Sequence, residues 1–337
     1  MIGIGVVGYG YWGPNLVRNF METSSATVIS VCDQDQDKLD LVQKRYPTIM
    51  PTLNFTDLLS NPAVDAIVIA TPVRSHYELA LQALKADKHV LIEKPMAETS
   101  EQTAHLVAEA EQRGLTLMVD HTFIYTGAVR KLKELVETGE LGKINYYDSS
   151  RINLGLFQHD VDVIWDLAVH DISILGFVLG EFPNRVSATG ASHVPGMVEN
   201  TAYITLFYES GTIAHVNVNW LSPVKMRSTV VGGDKKMVVY DDLEPSEKIK
   251  IYDKGVTVTD DPEQIYQMRV GYRTGDMLAP NVPSTEALLV EAEHFVDCIV
   301  TKKTPITSGK MGHEVVKIVE AATASMKQFG QPVSLLP

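Results

Sequence analysis

The segment Gly8-Tyr9-Gly10-Tyr11-Trp12-Gly13 carries glycines in the pattern G-x-G-x-x-G, between a β-branched run at Ile2–Val7 and a helix-like segment with Pro14 in its first turn. In that setting each glycine has a task. Gly8 permits a tight turn, Gly10 lets backbone approach a pyrophosphate, and Gly13 allows close helix–sheet packing. The helix N-terminus then offers its free N–H groups to phosphate. Asp33 ends the second apolar run, where a carboxylate accepts hydrogen bonds from adenosine ribose hydroxyls and repels a 2′-phosphate. No arginine stands in Gln34–Lys38, so the expected cofactor is NAD, with NADP disfavoured. Thr71 and Pro72 end the third apolar run, and small residues there let a cofactor cross the sheet edge. His76 reads equally as a cofactor neighbour and as a capping or solvated histidine.

Two further groups could do proton chemistry. Lys94 closes a strand, where doubly wound sheets place their ligands. A lysine there can hydrogen-bond and polarise a substrate hydroxyl, or donate to a carbonyl in the reverse direction. Pro95 disfavours helix at Lys94 itself. On position alone, Lys94 is also readable as a surface lysine ending a strand. Asp166 and His170 stand at i and i+4 of a predicted helix and face the same way. Histidine titrates near neutral pH and can take a hydroxyl proton as hydride leaves. Asp166 would orient it or bind a second hydroxyl. The pair also fits a packed histidine satisfied by its acid. Asp171 points to another side of the helix and is read as structural.

The elements that position these groups alternate between strand and helix. Apolar runs at Thr27–Cys32, Asp65–Ala70, His89–Ile92 and Leu115–Val119 follow the first, with helical segments at Gln36–Arg45, Ser75–Ala86 and Ser100–Arg113 between them. Runs without alternation are buried on both faces, and the β-α order implies right-handed crossovers. Residues 1–120 are therefore expected to be an NAD-binding, doubly wound parallel α/β sheet of the Rossmann type.

The chain has 337 residues, enough for two domains, and 42 acidic against 29 basic side chains give a net charge of −13. Such a chain is a poor general binder of nucleic acid or anionic membrane. No apolar stretch approaches the roughly 20 residues that span a bilayer. The N-terminus shows no basic stretch leading into an apolar one. Cys32 and Cys298 make neither a disulfide framework nor a structural zinc site, and the histidines form no spaced ligand cluster, so no metal is expected. The expected setting is cytoplasmic.

The glycine motif, Thr71-Pro72 with His76, Glu93-Lys94-Pro95, and Trp165-Asp166-Leu167-Ala168-Val169-His170-Asp171 together resemble the Gfo/Idh/MocA oxidoreductase family. Glu293-His294-Phe295, Gly309, Gly312 and Pro332-Val333 extend the likeness along the whole chain. The resemblance implies an α+β domain at 121–337 with a large open, mostly antiparallel sheet, and a homodimer or homotetramer formed through that sheet. It implies that Lys94 and His170 are catalytic with Asp166 as the motif partner, and that Glu93 belongs to the cofactor-binding motif. It also implies that His121, in Asp120-His121-Thr122-Phe123, lines the substrate site; by itself His121 could merely cross the domain junction. Arg151-Ile152-Asn153-Leu154-Gly155 with the aspartate–histidine motif looks most like members acting on sugars or nucleotide-linked sugars.

Beyond residue 121, Gly127–Thr138 and Ile164–Leu179 read as helices, and Ile144–Ile152 as the start of strand structure. Arg185–Ala191, Asn200–Tyr208, Thr212–Trp220, Arg227–Gly232, Lys236–Tyr240 and Ile249–Asp253 read as strands. Ala214, Val216, Val218 and Trp220 would form one apolar face, with His215, Asn217 and Asn219 opposite. Arg151 and Asn153 share a strand face, as substrate contacts or as solvated edge residues. Asp260–Ser284 is a long polar stretch in which Tyr272 or Arg273 either contacts substrate or belongs to a solvated arm; His159 and Asp160 are weaker candidates. Glu286–Val300 and Gly312–Phe329 are closing helices. The leading expectation is an NAD-dependent dehydrogenase or ketoreductase of a sugar, nucleotide-linked, in carbohydrate biosynthesis. The alternatives are inositol or polyol oxidation, NAD-assisted glycoside cleavage, and a non-catalytic dinucleotide-binding regulator.

Overall fold

Parallel strands with β-branched cores open the chain: β1 (Ile2–Val7), β2 (Ala26–Cys32), β3 (Met50–Thr52), β4 (Ala66–Ile69), β5 (His89–Glu93) and β6 (Leu117–Asp120). The computed structural model describes residues 1–155, 161–258 and 270–336, with backbone alone for 256–258 and 270–272. The six strands run in the order β3-β2-β1-β4-β5-β6, so the order reverses between β1 and β4, the switch point where such sheets bind ligands. Val6, Val68 and Ile92 are fully buried, as runs without alternation require.

The helices α1 (Gly13–Glu22), α2 (Gln36–Arg45), α3 (Phe55–Ser60), α4 (His76–Lys85) and α5 (Ser100–Arg113) fill the connections. The ends of α5 follow from sequence: the Thr99 hydroxyl accepts from the Gln102 N–H, and Gly114 takes a left-handed conformation at φ 64°. The short β3 and α3 have no counterpart in the sequence reading. β3 contains Pro51, lies at the sheet edge and is too brief to show a periodic pattern.

By contacts the chain divides into two units. The first holds residues 1–125 and 285–317; the second holds 126–284 and 318–337. The expected division at residue 120 left 285–317 in the second unit. In the structure α8 (Ala287–Thr301) packs on α1, with Phe20 and Phe295 edge to face at 6.3 Å and Arg18 paired to Glu286. α9 (Gly309–Lys327) begins in the first unit and ends in the second.

The second unit opens with α6 (Gly127–Glu137), β7 (Ile144–Leu154) and α7 (Val169–Leu179). It continues with β8 (Arg185–Ala191), β9 (Thr201–Phe207), β10 (Ile213–Asn219), β11 (Leu221–Gly233), β12 (Met237–Asp241), β13 (Ile249–Tyr252), β14 (Gly255–Val258), β15 (Val270–Arg273), β16 (Met277–Leu278) and β17 (Val333–Ser334). A nine-stranded sheet has the order β16-β13-β12-β11-β7-β10-β9-β8-β17. It is antiparallel except where β10 runs parallel to β7. Ala214, Val216, Val218 and Trp220 are buried as the alternation predicts, and β9 turns into β10 through Gly211 at φ 87°. Part of the polar stretch 260–284 is strand: β15 pairs with β14, and β16 pairs with β13.

Candidate functional site

At the first turn the glycines meet their constraints one by one. Gly8 sits at φ 94°, and a Cβ there would lie 2.5 Å from the Ala70 carbonyl oxygen. A Cβ on Gly13 would lie 2.1 Å from the Gly8 oxygen, which is the close helix–turn packing expected. A Cβ on Gly10 would meet nothing within 4 Å, so the space above that backbone is open where a pyrophosphate approaches. Asp33 accepts from Tyr9 N–H at 2.7 Å and from Asp35 N–H at 2.9 Å. A carboxylate has about four acceptor directions, so capacity remains for ribose hydroxyls. The turn fits a dinucleotide on its own geometry.

The aromatic residues of the turn differ in placement. Tyr9 is buried, and burial pushes its hydroxyl above the usual tyrosine range; its backbone N–H is the group committed to Asp33. Tyr11 and Trp12 are exposed as an edge-to-face pair at 5.7 Å. Lys38, which the sequence reading passed over, has its ammonium 3.5 Å from Asp33. Asp33→Ser would leave that cation facing the ribose site. The expected outcome is weaker NAD binding and relaxed discrimination against NADP, read from the ratio of the two dissociation constants; an unchanged ratio would place the ribose elsewhere.

His76 corrects its expected role. It is buried, not solvated, with Nδ1 2.9 Å from the Pro95 oxygen and Nε2 2.7 Å from the Thr71 oxygen. The ring ties the Thr71-Pro72 loop to the Lys94-Pro95 loop and is committed to backbone. Burial outweighs the two carbonyls and holds its pKa below the usual histidine value.

Glu93 and Asp120 end neighbouring strands side by side, and Glu291 of α8 joins them. All three are buried. Thr122 donates its hydroxyl to Asp120 at 2.5 Å. Burial, followed by the charge of Asp120, pushes Glu93 and Glu291 well above the usual carboxylate range. Burial thus biases the Glu291 carboxyl toward its neutral form. Its contribution to stability is therefore complete below the ordinary carboxyl value of 4.5 and is lost as pH rises through its raised folded value. Glu291→Gln removes the ionisable group and keeps a neutral side chain of nearly the same size. It should lose less stability than the wild type on the alkaline side in thermal melts across pH; parallel pH curves would contradict this.

Lys94 and His121 emerge at the same strand ends. His121 is 2 % exposed, and neither ring nitrogen has a hydrogen-bond partner among the described residues. Burial, then the Lys94 ammonium, pulls its pKa down to about 3, so the ring is neutral. A buried neutral imidazole without a protein partner is a polar surface left for a ligand.

The second unit carries the aspartate–histidine motif differently from a plain helix. Ile164–Ala168 form a π-helical turn that leads into α7. Asp162 caps it, accepting from the N–H groups of Ile164 and Trp165 at 2.9 and 3.2 Å. The wider turn carries Asp166, whose Oδ2 accepts from Trp220 Nε1 at 3.0 Å. Asp171, next to His170, is clamped by Ser149 at 2.5 Å and by Arg151 Nε at 2.6 Å.

That ion pair corrects the reading of Arg151 as a solvated edge residue: its side chain is 4 % exposed and ties β7 to α7. Asn153, on the same strand, is half-buried. Arg273 is also engaged, donating to the Asp253 carboxylate and to the Lys235 carbonyl. The Tyr272 side chain, His159 and Asp160 lie outside the described residues. Among the described residues no cluster of histidine, cysteine or carboxylate side chains could hold a metal ion. Cys32 and Cys298 are free and buried, and burial pushes both thiols up to about 11. Among the described residues no helix is long and apolar enough to cross a membrane.

Residues 2–121 match the oxidoreductase family with an NAD-binding Rossmann fold, and residues 129–239 match the GFO/IDH/MocA C-terminal domain. The chain belongs to the Gfo/Idh/MocA family of NAD-dependent oxidoreductases. It is 25% identical to an uncharacterised oxidoreductase of Bacillus subtilis, over 98% of this chain and 96% of that one. It is 24% identical to the scyllo-inositol 2-dehydrogenase (NAD(+)) of the same organism, over 99% and 95%. A solved structure of UDP-N-acetylglucosamine 3-dehydrogenase from Acidithiobacillus ferrooxidans superposes with a TM-score of 0.81 at 23% identity, covering 98% of this chain and 100% of that one.

Proposed function

We propose that this protein moves hydride between NAD and a secondary alcohol or ketone of a nucleotide-linked sugar, in carbohydrate biosynthesis. The observation that carries the chemistry is Lys94 at the end of β5 beside a neutral His121 that has no hydrogen-bond partner among the described residues, on the sheet whose first turn is shaped for a dinucleotide. Bound NAD supplies the hydride acceptor or donor. Lys94 binds and polarises the reacting oxygen. His170 takes the hydroxyl proton in oxidation and returns it in reduction. Asp166 hydrogen-bonds the substrate and orients His170. His121 and Asn153 contact the sugar, and the open first turn with Asp33 holds the cofactor.

The nucleotide-linked substrate is supported by full-length likeness in fold to the UDP-N-acetylglucosamine enzyme. Likeness to the inositol dehydrogenase supports a second reading, oxidation of a free polyol. Initial rates of NADH formation on UDP-linked acetamido sugars and on free inositols separate the two. A higher kcat/KM on the nucleotide sugars is expected; turnover of the inositols alone would overturn the nucleotide-linked assignment. The outer face of the large sheet, with Tyr203 and Ile213 exposed, supports assembly into a homodimer or homotetramer, which sedimentation equilibrium tests; a monomer would contradict it.

A further inference from the structure

Trp220 stands between β10 and β11 with its side chain fully buried, yet its indole N–H is spent on Asp166 at 3.0 Å. Its backbone is fixed on both sides: its N–H donates to the Asn200 oxygen at 3.0 Å, and its oxygen accepts from the Gly155 N–H at 3.1 Å. Gly155 is needed there. A Cβ on it would come within 2.7 Å of Trp220 Cδ1, against the indole edge that carries the N–H. Asp166 lies on the π-helical turn, where the backbone is wider than in an α-helix and its neighbours change. That turn is tied at its start by Asp162 and by the Val163 N–H, which donates to the Glu199 oxygen at 3.0 Å. The turn, the glycine and the indole form one arrangement that fixes where the Asp166 carboxylate sits.

We propose that Trp220, seated by Gly155, is a positioning residue for the reaction: its indole N–H holds the Asp166 carboxylate in the orientation that receives substrate. This rests on the reading that Asp166 touches substrate. A neutral donor to a charged acceptor makes one of the stronger hydrogen bonds in a protein, so its loss is felt at the carboxylate rather than averaged over the core.

The test is a double-mutant cycle on this 337-residue enzyme with NAD and a UDP-linked acetamido sugar. Trp220→Phe keeps an aromatic ring and removes the donor. It is expected to lower kcat about tenfold or more with the KM for NAD unchanged. In an Asp166→Ala background the same change should cost less than about twofold, because the group it acts through is gone. Equal losses in both backgrounds, with Asp166→Ala itself impaired, would assign the indole to packing and overturn the inference alone. A near-normal Asp166→Ala enzyme would overturn the substrate role of Asp166 and the inference with it. Should Trp220→Phe fail to fold, Gly155→Ala displaces the indole edge from the other side. It must show the same loss and the same dependence on Asp166; normal turnover in Gly155→Ala overturns the proposal.

Discussion

Lys94→Ala is expected to cut turnover by at least about a hundredfold while leaving NAD binding within about twofold of wild type, the scale on which positioned acid–base groups act. The reason lies in what surrounds the ammonium. His121 beside it is held neutral by burial and by Lys94 itself, and burial pushes the Glu93 carboxyl next to it well above the usual carboxylate range. Neither neighbour can take over the cation's work on a developing alkoxide. The proposed cofactor cradle, by contrast, draws on Gly8, Gly10, Gly13 and Asp33 on the opposite side of the switch point, so binding should survive. Steady-state turnover paired with a fluorescence titration of NADH checks both halves. Near-normal turnover would contradict the role of Lys94, and parallel loss of NADH binding would make it a cofactor ligand instead.

Asp171→Ala is expected to destabilise the protein by about 3–5 kcal/mol in chemical unfolding, the cost of taking one partner from a buried ion pair. The change removes a carboxylate 2.6 Å from a guanidinium that is nearly inaccessible, and also strips the Ser149 hydroxyl of its acceptor. Because the pair joins β7 to the helix that carries His170, activity should fall with stability. Replacing both partners, Arg151→Met with Asp171→Leu, should recover part of the stability, since two apolar side chains leave no charge buried. A loss below about 1 kcal/mol in the single variant would show that Arg151 is not dependent on Asp171.

The parts of this site that sequence conveys are those made by neighbours in the chain. The glycine turn, Asp33 at the end of β2 and the strand-final Lys94 depend on residues within one β-α step, so type and spacing suffice. The alternation along β10 gave the buried face of the large sheet for the same reason. What was not legible depends on partners far along the chain. Trp220 reaches Asp166, Arg151 reaches Asp171, Arg273 reaches Asp253, and His76 spans from Thr71 to Pro95. A lone arginine or histidine in sequence looks the same whether it faces a ligand or closes on a backbone carbonyl. The return of 285–317 to the first unit was hidden likewise, because Phe20 and Phe295 meet only in the fold.

On the proposed function, hydride passes between NAD and an alcohol carbon of a sugar with net change in the cofactor. Mass spectrometry of the protein as purified, followed by NADH absorbance with nucleotide sugars and free polyols, tests it most directly. A nucleotide sugar retained by the protein or oxidised by it is expected, with one NADH formed for each molecule of product. Retained NAD with no net NADH from any alcohol would contradict it, and would make the protein one that recycles its cofactor internally or only binds it.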